Sequence, residues 1–294
     1  MKCLSFGVLL LSMLLAGCQS ARAQRVAPVL AVPADELSRD PSQAPPPTFQ
    51  PSPSSQPTPA NYTSLPQPTP APVIVPEKTS YTSCNVEGMY IAITFDDGPN
   101  PELTPRLLDL LKERGIKATF FVVGKNVEEF PAIVTRMASE GHEVANHSWS
   151  HPALTKLGSE SFRKQIENTN QAIANATGKR PVLMRPPYGA TSVSLNKRLN
   201  EQFGLKVILW SVDPLDWKYR NSNRVYNSIV QNTRPGSIIL AHDIHATTVA
   251  AMPATLDALL AKGYKFVTVS ELIAMEVAPQ LAKKEPPAAT VPPP

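Results

Sequence analysis

The segment Met89-Tyr90-Ile91-Ala92-Ile93-Thr94-Phe95-Asp96-Asp97-Gly98-Pro99 decides the fold. Residues 89–95 form a β-rich run, and two adjacent aspartates stand where it ends. Leu107, Leu108, Leu110 and Leu111 then set an apolar stripe on a helix that Gly115 stops. The same unit repeats along the chain. Residues 118–123 read as the second strand, with a helix over 127–139 ended by Gly141. Strands at 143–146, 182–184 and 206–212 precede or follow helices at 159–176 and 194–203, closed by Gly178 and Gly204. A helix over 223–233, a strand at 237–241, a helix over 249–262 and a strand at 265–269 complete the series. A last short helix over 271–275 would be capped by Ser270. Seven strands alternating with helices imply an α/β fold with a parallel sheet. In such folds the reactive groups gather at the C-terminal ends of the strands.

The polar residues obey that rule. Asp96 and Asp97 follow the first strand, His147 and His151 the third, and Arg185 the fourth. Asp213 and Asp216 follow the fifth, and His242 the sixth. Random placement would send about half of them to the opposite ends. His147 and His151 are four apart, and on a helical turn they would share a face, as zinc-binding pairs do. Two histidines and one carboxylate leave room at a metal for water and substrate, the pattern of catalytic zinc. The same set also suits the facial triad of an Fe(II) oxygenase. The second aspartate discriminates, because a hydrolase needs a free base beside its activated water.

Five motifs occur in order: Thr94-Phe95-Asp96-Asp97-Gly98-Pro99, His147-Ser148-Trp149-Ser150-His151, Arg185-Pro186-Pro187-Tyr188-Gly189, Asp213-Pro214-Leu215-Asp216-Trp217 and Leu240-Ala241-His242. Together they resemble those of the polysaccharide deacetylases, carbohydrate esterase family 4 with its NodB homology domain. The resemblance covers residues 90–275. It implies a distorted (β/α)7 barrel, in agreement with the seven strands. It implies that Asp97, His147 and His151 hold a divalent metal, zinc or alternatively cobalt. Asp96 would be the general base, with Arg185 as its partner, and the Tyr188 backbone N–H would help stabilise the oxyanion. His242 would be the general acid, oriented and favoured in its cationic form by Asp216. Trp217 and Leu240 would form the slot for the acetate methyl. Asp213 reads as a loop-structuring residue, and His142 and His245 as structural or exposed. Trp149 is open between packing under the metal and facing the sugar.

Outside this segment the composition changes. Of 32 prolines, 15 fall at residues 24–76 and 6 at 279–294. Proline removes backbone donors and breaks helices and inner strands, so neither end can build an ordinary core. The organisation expected is a leader at 1–17, a lipidated cysteine and Pro-rich, disordered tether at 18–83, the catalytic domain at 84–277 and a disordered tail at 278–294. Residues 4–16 are apolar and too short to span a bilayer, which suits an export signal. Leu15-Ala16-Gly17-Cys18 resembles a bacterial lipobox, with Cys18 acylated; simple cleavage at small residues is the plainer alternative. Gln19 after that cysteine leans toward the outer membrane, facing the periplasm. With Cys3 in the leader and Cys18 lipidated, Cys84 has no partner and no disulfide framework is possible.

Residues 84–277 carry 21 Lys+Arg and 19 Asp+Glu, a balance that gives no reason to expect nucleic-acid binding. The sequence thus points to an exported, membrane-anchored, monomeric, metal-dependent N-deacetylase of an N-acetylglucosamine polymer, peptidoglycan first. Chitooligosaccharide, another surface glycan and O-acetylated xylan are the enzymatic alternatives. A catalytically idle polysaccharide-binding lipoprotein is the alternative of a different class.

Overall fold

The computed structural model describes residues 78–277. Cys18, the leader, most of the tether and the tail lie outside the described residues. The strands are β1 (Ser80–Tyr81), β2 (Tyr90–Asp96), β3 (Thr119–Val122), β4 (Glu143–Asn146), β5 (Leu183–Met184), β6 (Lys206–Ile208), β7 (Ile238–His242) and β8 (Lys265–Phe266). The helices are α1 (Leu103–Glu113), α2 (Gly124–Glu129), α3 (Pro131–Ser139), α4 (Ser159–Thr177), α5 (Val193–Phe203), α6 (Asp216–Tyr219), α7 (Ser222–Asn232), α8 (Ala246–Ala261) and α9 (Val269–Ala274). All ladders are parallel, in the order β1-β6-β5-β4-β3-β2-β7, with β8 also on β2. Across the ends of that path, the chain leaving β6 returns to β7 through one parallel bridge, Val212 to Ile239. The expected α/β arrangement of parallel strands with helices is therefore present, and the expected barrel is not closed along that seam.

β2 organises both layers. With side chains alternating at a period of two, Ile91, Ile93 and Phe95 enter the core built with Leu107, Leu108 and Leu111 of α1 and Met252, Leu256 and Leu259 of α8. Ala92 belongs to a second apolar cluster with Phe121, Ala145, Leu183 and Ile208. Thr94 and Asp96 share the face of Ala92, so polar groups appear on it only toward the strand's C-terminal end. Register completes the alignment, pairing Asp96 with Phe121 on one side and His242 on the other.

Four local expectations are corrected. The helix expected over 127–139 is two helices, because Phe130 precedes Pro131 and leaves the helical region (φ −126°, ψ 53°). The strand expected to reach Val212 ends at Ile208, where the next carbonyls are diverted: those of Ile208 and Leu209 accept bonds from the Arg185 guanidinium. Ser80–Tyr81, inside the stretch read as tether, is an eighth strand paired with β6, and Tyr81 and Cys84 are buried. The last helix is capped by Thr268 in a reciprocal box with Glu271, while Ser270 hydrogen-bonds Glu143 instead.

Candidate active site

A cleft of about 550 Å³ opens at the C-terminal ends of the strands. Asp96, Asp97, His147, His151, Tyr188, Trp217, Leu240 and His242 line it, with Pro186, Gly189, Trp210 and Asp213. Residues from five strand-end loops converge there, as the sequence anticipated. The route by which the histidines meet is different. Residues 147–151 form a bend and not a helical turn, with Ser148 and His151 in the left-handed region (φ 68° and 59°). The bend is held by Asn146, whose side-chain oxygen accepts the Ser148 N–H at 2.7 Å, and by Ser148 Oγ, which accepts the His151 N–H at 3.1 Å. The two imidazole rings come to rest 4.9 Å apart.

Asp97, His147 and His151 present ligand atoms all within 4.8 Å of one another. The Asp97 carboxylate oxygen lies 3.5 Å from His147 Nε2 and 3.4 Å from His151 Nε2. His147 Nδ1 is hydrogen-bonded to the Arg185 carbonyl at 2.6 Å, which fixes the ring and leaves Nε2 as the lone-pair nitrogen aimed at the cluster. Burial opposes the charge on Asp97, yet the His147 hydrogen bond and the surrounding imidazoles hold its carboxyl at about 2. Burial lowers His151 and favours its neutral imidazole. A carboxylate and two imidazole Nε2 atoms around one point fit a divalent cation with positions left open.

Beside the triad sit two buried ion pairs. Arg185 is fully buried and gives Nη1 to Asp96 at 2.6 Å and to Thr94 at 2.7 Å; its ring-like plane lies 4.1 Å from the Phe121 centroid. The free carboxylate oxygen of Asp96 is 3.7 Å from His147 Nε2. Across the cleft, His242 Nδ1 meets Asp216 at 2.7 Å. Asp216 also accepts from the backbone N–H groups of Trp217 and His242 and from the Thr248 hydroxyl. Burial works against a charged His242, but the hydrogen bond and charge of Asp216, with Asp96 and Asp97 nearby, lift it to about 9.

The walls are aromatic and apolar. Leu240 is buried, Trp217 half exposed, and Tyr188 exposed with its ring edge-on to His151 at 4.6 Å. Tyr188 holds a left-handed backbone (φ 62°), as do Asp97 and Leu215, so strained positions cluster around the cleft. Asp213 structures its loop by accepting the Leu215 N–H at 2.7 Å. Trp149 is not among the residues lining the cleft; it packs on Gly124, where a Cβ would come within 2.4 Å of its ring. His142 is buried, with Nδ1 accepting the Ala118 N–H, and burial presses it down to about 4. His245 is half-buried with its ring 5.7 Å from that of His242. Two residues of the neighbourhood escaped the sequence reading. Trp210 was counted as strand interior, but it lines the cleft and leaves no room for a Cβ at Gly189. Asp243 is fully buried under Gly98, bonded to the Thr104 hydroxyl, and burial raises it to about 7.

A curled parallel sheet with an Asp-His-His cluster between two oppositely oriented carboxylate–cation pairs defines a hydrolase-type site. The polysaccharide deacetylase family profile matches residues 84–208. The solved structure of the Bc1960 peptidoglycan N-acetylglucosamine deacetylase is 37% identical with a TM-score of 0.65, covering 68% of this chain and 96% of that one. The chain belongs to the polysaccharide deacetylase family. A peptidoglycan N-acetylglucosamine deacetylase of Listeria monocytogenes is 48% identical over 182 residues, which are 62% of this chain but only 38% of that protein. This chain thus spans well under half the length of that relative. A CE4 family pseudoenzyme from Bacillus anthracis is 28% identical, with a TM-score of 0.64 over 69% of this chain and 71% of that one.

Proposed function

We propose that the protein is a metal-dependent hydrolase that removes acetate from N-acetylglucosamine residues of peptidoglycan. The observation that carries this reading is the convergence of Asp97, His147 and His151 between a buried Asp96–Arg185 pair and a buried Asp216–His242 pair on one cleft. A pseudoenzyme shares the fold, so the fold alone does not argue for catalysis; the intact donor set does.

A divalent cation, zinc by the nature of the donors, would be held by Asp97, His147 and His151 and would supply Lewis acidity and a more acidic water. Asp96, held by Arg185, takes the proton of the attacking water. His242 delivers a proton to the departing amine nitrogen, while Asp216 steadies the ring and its charge. The Tyr188 backbone N–H faces the developing oxyanion, and Trp217 with Leu240 receive the acetate methyl. Water thus adds to the amide carbonyl, the carbon–nitrogen bond breaks, and acetate and a free amine result.

The deciding measurement is acetate release from purified peptidoglycan, chitooligosaccharide and acetylated xylan, before and after chelation. Release from peptidoglycan that stops on chelation and returns with Zn²⁺ or Co²⁺ is expected. No release from any acetylated glycan with metal bound would leave the idle binding protein as the reading.

The lipobox-like stretch at residues 15–18 further supports export and anchoring through Cys18, and Gln19 favours the outer membrane, facing the periplasm, from which the domain, read as a monomer, reaches the wall on its tether. Cys18→Ala should abolish lipid labelling and move the protein out of the detergent phase.

A further inference from the structure

Beside the Trp217 wall of the cleft, α6 and the start of α7 carry a set of cations that the mechanism does not use. Trp217 of α6 lines the cleft, and the next three side chains, Lys218, Tyr219 and Arg220, are exposed. Arg224, near the start of α7, stacks its guanidinium 3.6 Å from the Tyr219 ring centroid, and Lys218 Nζ lies 5.2 Å from the same ring. Arg220 is in a left-handed turn between the two helices (φ 47°) and bonds the Asp216 carbonyl at 3.5 Å. Its charge reaches His245, whose ring neighbours that of His242.

Among the described residues, none of Lys218, Arg220 and Arg224 has a carboxylate within 4.0 Å. The nearest acids in sequence are engaged: Asp213 accepts the Leu215 N–H, and Asp216 belongs to His242. By contrast Arg114, Arg136 and Arg180 meet Asp257, Asp109 and Glu167 at 2.5–2.8 Å. Two like charges gathered at one aromatic ring, with Arg220 between them in sequence, repel one another, and the Tyr219 face only partly offsets this. Such a set is completed by an anion. A sugar ring also suits it, because Trp217 and Tyr219 offer flat apolar faces beside the charges.

The geometry points to a subsite on α6 and α7 in which Lys218, Arg220 and Arg224 bind a carboxylate carried by a sugar next to the one being deacetylated. The inference rests on the peptidoglycan reading and deepens it. In that polymer every second sugar bears a lactyl ether, whose carboxyl is a free carboxylate wherever the stem peptide has been removed and then lies at a fixed distance from the neighbouring acetylated glucosamine; a chitooligosaccharide has none. The rim therefore selects an acidic alternating glycan over a neutral one.

The test compares kcat/KM for acetate release by the full-length protein on peptidoglycan strands stripped of stem peptides and on chitooligosaccharide of equal length, at low and high salt. Wild type should prefer the acidic strands and lose that preference as salt rises. The triple variant Lys218→Gln/Arg220→Gln/Arg224→Gln should lose about tenfold on the acidic strands, as three exposed ion contacts would supply. It should stay within about twofold of wild type on the neutral oligomer, which also certifies its folding. Equal losses on both substrates, or a salt-independent preference in wild type, would overturn the rim while leaving the deacetylase reading intact. Acetate release from the neutral oligomer alone would overturn the rim and the peptidoglycan reading together, and release from neither substrate would overturn the deacetylase reading as well.

Discussion

The two buried pairs that face each other across the cleft contain the same charges in opposite order. On the Asp96 side the carboxylate looks into the cleft and the cation, Arg185, is fully buried behind it. On the His242 side the cation looks into the cleft and the carboxylate, Asp216, is hidden. The hidden partner sets what each side can do. Arg185 cannot shed its proton in a protein, so the Asp96 side has a cation behind it at every working pH. Imidazole does titrate, so the His242 side has two states, and only the protonated one can donate. One pair is built to accept a proton, the other to hold one until the amine leaves.

The largest expected effect breaks the accepting side. Asp96→Asn should lower kcat by at least ~10² while bound metal, measured by elemental analysis, stays at wild-type stoichiometry. Retained turnover would remove Asp96 from the role of base. Next, Arg185→Leu should destabilise the fold by about 3–5 kcal/mol in denaturant unfolding, because Asp96 is left buried without its partner. Arg185→Leu/Asp96→Leu should regain part of that loss; if the double variant is no more stable than the single, the pair is not what Arg185 is buried for.

The donating side should respond in pH rather than in amplitude alone. His242 stands near 9 against a usual 6.5, so its protonated state and the stabilisation it shares with Asp216 are complete below 6.5 and lost as pH rises through 9. Asp216→Asn should shift the alkaline limb of the kcat profile to lower pH, and an unmoved limb would assign that limb to another group. The smallest effect concerns Asp243, outside both pairs. Burial lifts its carboxyl from 3.8 to about 7, so its favourable contribution to folding fades as pH rises across that interval. The Tm of Asp243→Asn relative to wild type should therefore increase between those limits and level off above them. A difference that is flat with pH would show that Asp243 ionises as freely in the folded chain as in the unfolded one.

Much of this geometry is legible in the sequence because parallel strands place their last residues on one rim. Asp96, Asn146, Met184 and His242 end runs of recognisable β character, and register then aligns them. What is not legible depends on side chains acting at a distance. The four-residue spacing of His147 and His151 fits a helix as well as a bend, and the Asn146 and Ser148 side chains decide for the bend. A two-residue strand such as Ser80–Tyr81 has no period to read. Trp210 looks like strand interior until Arg185 takes the carbonyls that would have continued β6. Asp243 does carry a signal, an acid among Leu240, Ala241 and Ile244, but its burial depends on Gly98, which is remote in sequence.

Arg185 has one further implication, for anyone who would re-engineer this scaffold. Its side chain fixes the proton acceptor and its main-chain carbonyl fixes a histidine of the candidate metal cluster. The spacing between those two parts is thus written into a single residue, and neither can be moved without dragging the other. A directed-evolution library should keep residues 183–189 invariant and seek new substrate ranges on α6 and α7, and a transplant of the site to another barrel has to carry that strand end across as one piece.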